Sequence, residues 1–111
     1  MTDVAEAAAA LGITSESFFV EPGFAKLFRM PANVVIGQHV HKSDHLGMLL
    51  LGTVRVTAGA SVTEYEAPAA VDLPAGIAHE IESVTDALWA CVWPDADGAA
   101  TEADFESKVI A

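Results

Sequence analysis

The sequence predicts an all-β protein, and three observations lead to this prediction. From residue 13 onward the chain consists of short runs rich in β-branched and aromatic residues, which favour strands. The runs are separated by Gly, Pro, Asn and Asp, which are typical of turns. No helical periodicity intervenes between the runs. Short strands at such close spacing indicate a sandwich or a barrel.

The chain has 111 residues, the usual size of one domain, and its 52% hydrophobic content is enough for one packed core. We expect residues 13–111 to form this domain and residues 1–12 to form a peripheral helical segment. Residues 3–11 are mostly strong helix formers, with Thr2 placed to cap the helix and Gly12 to end it. Thr101 and Asp104 predict a second short helix near the C-terminus.

Eight strands are predicted along the domain. The alternation of apolar and polar residues at 54–56 indicates a strand with one buried face, whereas the run Leu-Leu-Leu at 49–51 indicates a strand covered on both faces. Gly52 and Gly59 mark hairpin turns. The predicted strand bounds are 17–20, 24–30, 34–41, 46–51, 54–58, 62–67, 78–84 and 87–93.

Charge and cysteine content exclude several classes of function. A formal net charge of −11 leaves no basic surface for phosphates, so we expect neither nucleic acid nor an anionic membrane as a partner. The single cysteine cannot form an internal disulfide or a CxxC motif. No apolar run approaches the roughly 20 residues that span a bilayer, and the first eleven residues contain no Lys or Arg. The expected location is the cytoplasm.

The last predicted strand carries Trp89, Cys91 and Trp93 at alternating positions, so the three side chains share one face. Both tryptophans are expected to pack in the core or against another subunit. Because Cys91 has no basic neighbour in the sequence, we expect a buried, unreactive thiol.

All four histidines fall into two groups, His39-x-His41-x-x-x-His45 and His79. Residues two apart in a strand point to one face, so His39 and His41 can both point into a barrel. His45 keeps the same parity if the extended geometry continues, and a later strand can bring His79 close. Four neutral imidazoles suit Mn, Fe, Co, Ni, Cu or Zn, whereas Mg and Ca prefer oxygen ligands.

At these positions the sequence resembles the cupin superfamily. The first cupin motif is Gly, five residues, His-x-His, three or four residues, Glu, six residues, Gly. The same spacing runs here from Asn33 through His39, His41 and His45 to Gly52. Asn33 in place of Gly is tolerable because Asn enters the left-handed backbone region readily. The histidine at position 45, where most cupins have glutamate, makes an all-histidine site.

The second cupin motif is Gly, five residues, Pro-x-Gly, two residues, His, three residues, Asn. Here Pro68, Pro74, Gly76, His79 and Ser83 occupy these places, with Pro68 and Ser83 departing from the motif. The resemblance covers about residues 24–93. It implies an antiparallel barrel, or jelly roll, that holds one divalent transition metal (Mn, Fe, Ni, Cu or Zn) on His39, His41, His45 and His79.

The same resemblance implies a class of function. Some small four-histidine cupins perform oxidative cleavage, which suggests a dioxygenase-like oxidoreductase acting on a small organic molecule that chelates through oxygen. Phe28, Met30, Met48 and Tyr65 are the residues expected to line the cavity. Two alternatives stay open: a non-catalytic metal- or ligand-binding module, and a cupin lyase or isomerase, for which we find no general base. Small cupins frequently pair, so a homodimer is expected.

Overall fold

The structure is a computed structural model that describes residues 12–20, 22–39 and 45–94. In these residues the chain forms nine strands and no helix: β1 (Thr14–Val20), β2 (Gly23–Met30), β3 (Val35–His39), β4 (His45–Leu51), β5 (Thr53–Ala58), β6 (Ser61–Glu66), β7 (Ala69–Leu73), β8 (His79–Ser83) and β9 (Ala87–Trp93). The two predicted terminal helices lie outside the described residues. The division of the chain at residue 12 therefore stays a prediction.

Two antiparallel sheets confirm the predicted all-β class. One sheet has five strands in the order β1-β2-β9-β4-β7, and the other has four strands in the order β3-β8-β5-β6. The chain crosses between the sheets at β2–β3, β3–β4, β4–β5, β6–β7, β7–β8 and β8–β9, as in a jelly roll. None of the residues that the structure describes forms a helix long and apolar enough to cross a membrane.

The core lies between the two sheets, because alternate residues of each strand point toward the opposite sheet. We call this side of each sheet its inner face. Trp89, on the central strand of the five-stranded sheet, is the largest fully buried side chain. Both sheets contribute to the core cluster, whose buried members are Ile13, Phe28, Met30, Leu49, Val54, Val56, Val71, Leu73, Ile81, Ala87 and Trp89.

Two sequence predictions about strands are wrong. The strand β7 was not predicted, because two alanines and a preceding proline hide it; its alternation of Val71 and Leu73 with exposed residues appears only once β7 pairs with β4. The run at 49–51 is covered on one face only, since Leu49 is buried whereas Leu50 and Leu51 are 42% and 64% exposed.

Ser83 ties the end of β8 to the loop between β2 and β3. Its buried hydroxyl donates to the carbonyl of Pro31 and accepts from the amide of Val34, and its own amide donates to the Val34 carbonyl. Asn33, in the same loop, has a φ of 64°, so the expected left-handed conformation is confirmed. The bond to Pro31, which follows β2, links the two sheets at one end of the barrel.

Candidate metal centre

Strands from both sheets bring two of the four histidines together. His45 is the first residue of β4 and His79 the first residue of β8, and both side chains are buried on the inner faces. In the register of β3 and β8, His39 lies opposite His79. The structure describes neither the side chain of His39 nor any part of His41. Their proposed role as ligands therefore stays a prediction.

The rings of His45 and His79 lie edge-on to each other in the space between the sheets. Their centroids lie 6.2 Å apart, with the ring planes at 76°. On its other side, His45 stacks on the indole of Trp93 at 4.4 Å and 16°. This stacking follows from the register, because Leu46 pairs with Val92 and places the two rings side by side on neighbouring strands.

The burial and the lowered pKa of His79 suit a residue that binds a metal. Both of its ring nitrogens are buried, and neither has a hydrogen-bond partner among the described residues. A buried polar atom without a partner is costly, and an ion or a water molecule at the site would satisfy it. Desolvation by burial lowers the pKa of His79 below its ordinary value, which favours the neutral imidazole. The neutral form is the one that binds metals.

The separation of the two rings fits a shared ion. Imidazoles that bind one metal through nitrogens at about 2.1 Å have ring centres roughly 4.5–6.5 Å apart, depending on the angle at the metal. The observed 6.2 Å lies near the upper end of this range, which would require the two nitrogens to bind on nearly opposite sides of the metal. Among the described residues there is no group of three or more His, Cys, Asp or Glu side chains that could hold a metal. Completion of a site by His39 and His41 stays a prediction.

The residues predicted to line a cavity do not share one location. The predicted cavity position of Met48 is wrong. Met48 is 36% exposed and lies on the outer face of β4, because its parity is opposite to that of His45. Phe28 and Met30 are buried in the core, and Tyr65 packs against it. Met30 also lines an open depression of about 390 Å³, which adjoins Leu51 at the other end of β4 from His45.

Sequence analysis missed two contributors to the inner face near the histidines. Trp93 is expected from the sequence to pack in the core or against another subunit, and its stacking on His45 is not predicted. Lys26 was not singled out, yet it is buried on the inner face of β2, with Nζ 5.4 Å from the ring centroid of Phe28. The sequence contains the signal, because Lys26 has the same strand parity as the apolar Phe24, Phe28 and Met30.

Cys91 lies on the inner face of β9, where it is partly rather than fully buried. It pairs with Lys26 across β2 and β9 and accepts a hydrogen bond from the indole nitrogen of Trp89 at 3.2 Å. Burial raises the pKa of the Cys91 thiol to about 11, despite the opposing influence of that hydrogen bond and of Lys26. The thiol is therefore protonated at neutral pH and is not a nucleophile.

Comparison with solved structures identifies the fold. No family model matches the sequence, and no curated protein matches it. A cupin superfamily protein from Desulfitobacterium hafniense is similar with a TM-score of 0.67 and 15% identity, over 72% of this chain and 74% of that one. KdgF from Halomonas sp. is similar with a TM-score of 0.66 and 19% identity, over 73% and 78%.

Oxalate decarboxylase from Bacillus subtilis, a protein with Mn(II) centres, is a third similar structure. Its TM-score is 0.66 at 17% identity, over 80% of this chain but only 24% of that longer one. All three identities are low, so these similarities establish the fold and not the activity. The chain has the cupin fold, which confirms the fold implied by the two sequence motifs.

Proposed function

We propose that this protein binds one divalent transition metal, Mn, Fe, Ni, Cu or Zn, through His39, His41, His45 and His79. The observation that carries the proposal is the buried His79, whose two ring nitrogens have no hydrogen-bond partner among the described residues and whose ring lies 6.2 Å from that of His45. The Mn(II) centres of the similar oxalate decarboxylase support a metal of this class.

The proposed activity is that of a dioxygenase-like oxidoreductase acting on a small molecule that chelates through oxygen. A divalent ion held by four neutral ligands would keep its full charge and, if octahedral, would have two open positions, so it would polarise a chelating substrate and support reaction with O2. The chain supplies the setting for this chemistry. Trp93 packs on His45 and fixes its ring plane.

The placement of the carboxylates in the described strands supports oxidative chemistry over a reaction that needs a general base. In the described strands, every carboxylate lies at outward parity; examples are Glu16, Asp72, Glu80 and Glu82. A lyase, isomerase or hydrolase needs a general base within reach of its substrate. Oxidative chemistry depends less on such a base. The same observation favours the second candidate, a metal- or ligand-binding module without catalysis.

Metal binding is tested first. The purified protein, loaded with Mn or Fe and freed of excess ion, should contain one metal per chain by elemental analysis. His79→Ala should weaken metal binding at least about 100-fold, because it removes a ligand. Ile81→Ala is the matched control: Ile81 is also buried on the inner face of β8, two residues further on, so its loss should destabilise the fold yet keep one metal per chain.

Two results would contradict the proposed metal site. The first is a folded protein that takes up no metal, and the second is a His79→Ala variant with unchanged metal affinity. Catalysis is tested next by O2 uptake of the Mn- and Fe-loaded protein with diketones, catechols and styrenes. The oxygenase proposal requires uptake that chelator and His79→Ala both abolish. Stoichiometric metal that raises the unfolding temperature, without uptake on any substrate, identifies the non-catalytic module instead.

A further inference from the structure

The open depression of about 390 Å³ at one end of the five-stranded sheet adjoins Gly12, the first residue that the structure describes. One row of paired residues crosses β1, β2, β9 and β4 and lines this depression on the outer side of the sheet. We call it the outer row; its members, in strand order, are Thr14, Arg29, Leu88 and Leu51.

The apolar half of the outer row is left open by the described residues. Leu51 is 64% exposed, and Leu88 beside it is half-buried. The four-stranded sheet differs, since its outer face carries Glu64 and Glu82 on either side of Arg55, which pairs with both. An exposed apolar patch inside a depression indicates a surface that another segment or molecule covers.

The chain before Gly12 is the segment best placed to cover the depression. Because consecutive Cα atoms are about 3.8 Å apart, residue 11 lies at the edge of the depression. Gly12 has a φ of 80°, the left-handed conformation that glycine often adopts directly after the last residue of a helix. Residues 3–11 are mostly strong helix formers. A helix over these residues would therefore end beside the outer row.

The predicted helix has one apolar side. Residues at positions i, i+3, i+4 and i+7 form a stripe along a helix. Here the stripe consists of Val4, Ala7, Ala8 and Leu11. Asp3 and Glu6 lie away from it. A helix of nine residues is not stable alone in water, so the stripe has to pack on an apolar surface for the helix to form.

The length and the charge of this helix suit the outer row. Nine residues at 1.5 Å each give a helix about 13.5 Å long, and the three strand spacings from β1 to β4 span about 14.4 Å. Its C-terminal end, which carries a partial negative charge, would lie near the exposed Arg29. The small Ala7 and Ala8 leave room for Leu88 and Leu51, as close packing requires.

We propose that residues 3–11 form a helix that ends at Gly12 and packs its apolar stripe into the depression, over the outer row. The helix then covers Leu51, so the second face of the run at 49–51 is covered by the chain itself. The depression lies at the other end of β4 from His45. The proposal is therefore independent of the proposed metal site, and its test needs no metal.

Amide hydrogen exchange on the full-length chain, read residue by residue by NMR, tests the proposal. The amides of residues 7–11 bond within the helix, so they should be protected in the wild type. Ala8→Glu places a charge in the stripe and should speed up their exchange at least about 10-fold. Ala9→Glu is the matched control, because it makes the same change one residue further on, away from the stripe, and should keep the protection.

Leu51→Glu tests the other side of the contact. Leu51 is already 64% exposed among the described residues, so the sheet has no reason to unfold, yet the amides of residues 7–11 should lose protection as in Ala8→Glu. Met48→Glu is its control, on the outer face of the same strand but outside the depression, and should change nothing. Circular dichroism checks that every variant keeps its strands.

Four results would overturn the proposal. The first is wild-type exchange at residues 7–11 as fast as in an unfolded peptide, and the second is protection that survives both Ala8→Glu and Leu51→Glu. The third is protection that appears only as protein concentration rises, which would assign the depression to a second copy. The fourth is a Leu51→Glu variant that exposes residues 95–111 instead, which would assign the depression to that segment.

Discussion

Gly47 is the position where the smallest substitution should have the clearest effect. It lies on the inner face of β4, and a Cβ added there would lie 2.5 Å from Cη2 of Trp89, closer still to Cζ2, and 3.1 Å from Leu73. Trp89 cannot move away freely, because it is fully buried and its indole nitrogen is bonded to Cys91. Overpacking of this kind costs about 1–3 kcal/mol. It outweighs the roughly 0.5–1 kcal/mol that removal of a strand glycine ordinarily contributes.

We therefore expect Gly47→Ala to lower the free energy of unfolding by about 2 kcal/mol, which moves the urea midpoint down by roughly 1 M. Trp89→Phe provides the control, since phenylalanine lacks the two ring carbons that meet the new methyl group. In that background Gly47→Ala should cost at least about 1 kcal/mol less, a coupling that a double-mutant cycle measures. Equal cost in both backgrounds, or a Gly47→Ala variant as stable as wild type, would show that Trp89 does not fill the space above Gly47.

Three further predictions concern single side chains. Ser83→Ala removes the hydroxyl that donates to the carbonyl of Pro31 and accepts from the part-buried amide of Val34, and should lower the free energy of unfolding by about 1–3 kcal/mol; an unchanged unfolding temperature would contradict a link between the sheets through this hydroxyl. Cys91, with a pKa of about 11, should not react with a thiol reagent at pH 8 until the protein unfolds; rapid labelling of the native chain contradicts its burial. Arg55→Met removes the half-exposed ion pair with Glu82 and should change stability by less than about 1 kcal/mol, with a smaller effect at high salt.

Much of the fold could be predicted from the sequence, because the signals for strands and turns are local. The runs that became β2, β5 and β9 carry β-branched or aromatic residues in alternation, and Gly59 and Asn33 have the positive φ that their turns require. The strand β7 could not be predicted in this way. Its Ala-Ala-Val-Asp-Leu segment has little strand propensity, and pairing with β4 is what fixes it in the sheet.

The site was predictable to the extent that parity and spacing determine it. His45 and His79 were expected to converge, and they do, because each begins a strand with its side chain at inward parity. Met48 was misplaced because its chemistry suggested a cavity, although it lies three residues from His45 and so has the opposite parity. The stacking of Trp93 on His45 depends on the register of β9 against β4, which no local pattern reveals.

The alternation of the central strands separates the proposed site from the outer surface of the five-stranded sheet. On β4 and β9, His45 and Trp93 point inward to the proposed metal, whereas Met48 and Ala90 point outward. An outward substitution therefore changes the surface without touching a predicted ligand. His79→Ala should lower the metal affinity, whereas Met48→Glu, at a position that is 36% exposed, should leave it unchanged. Equal loss of affinity in both variants would contradict this separation.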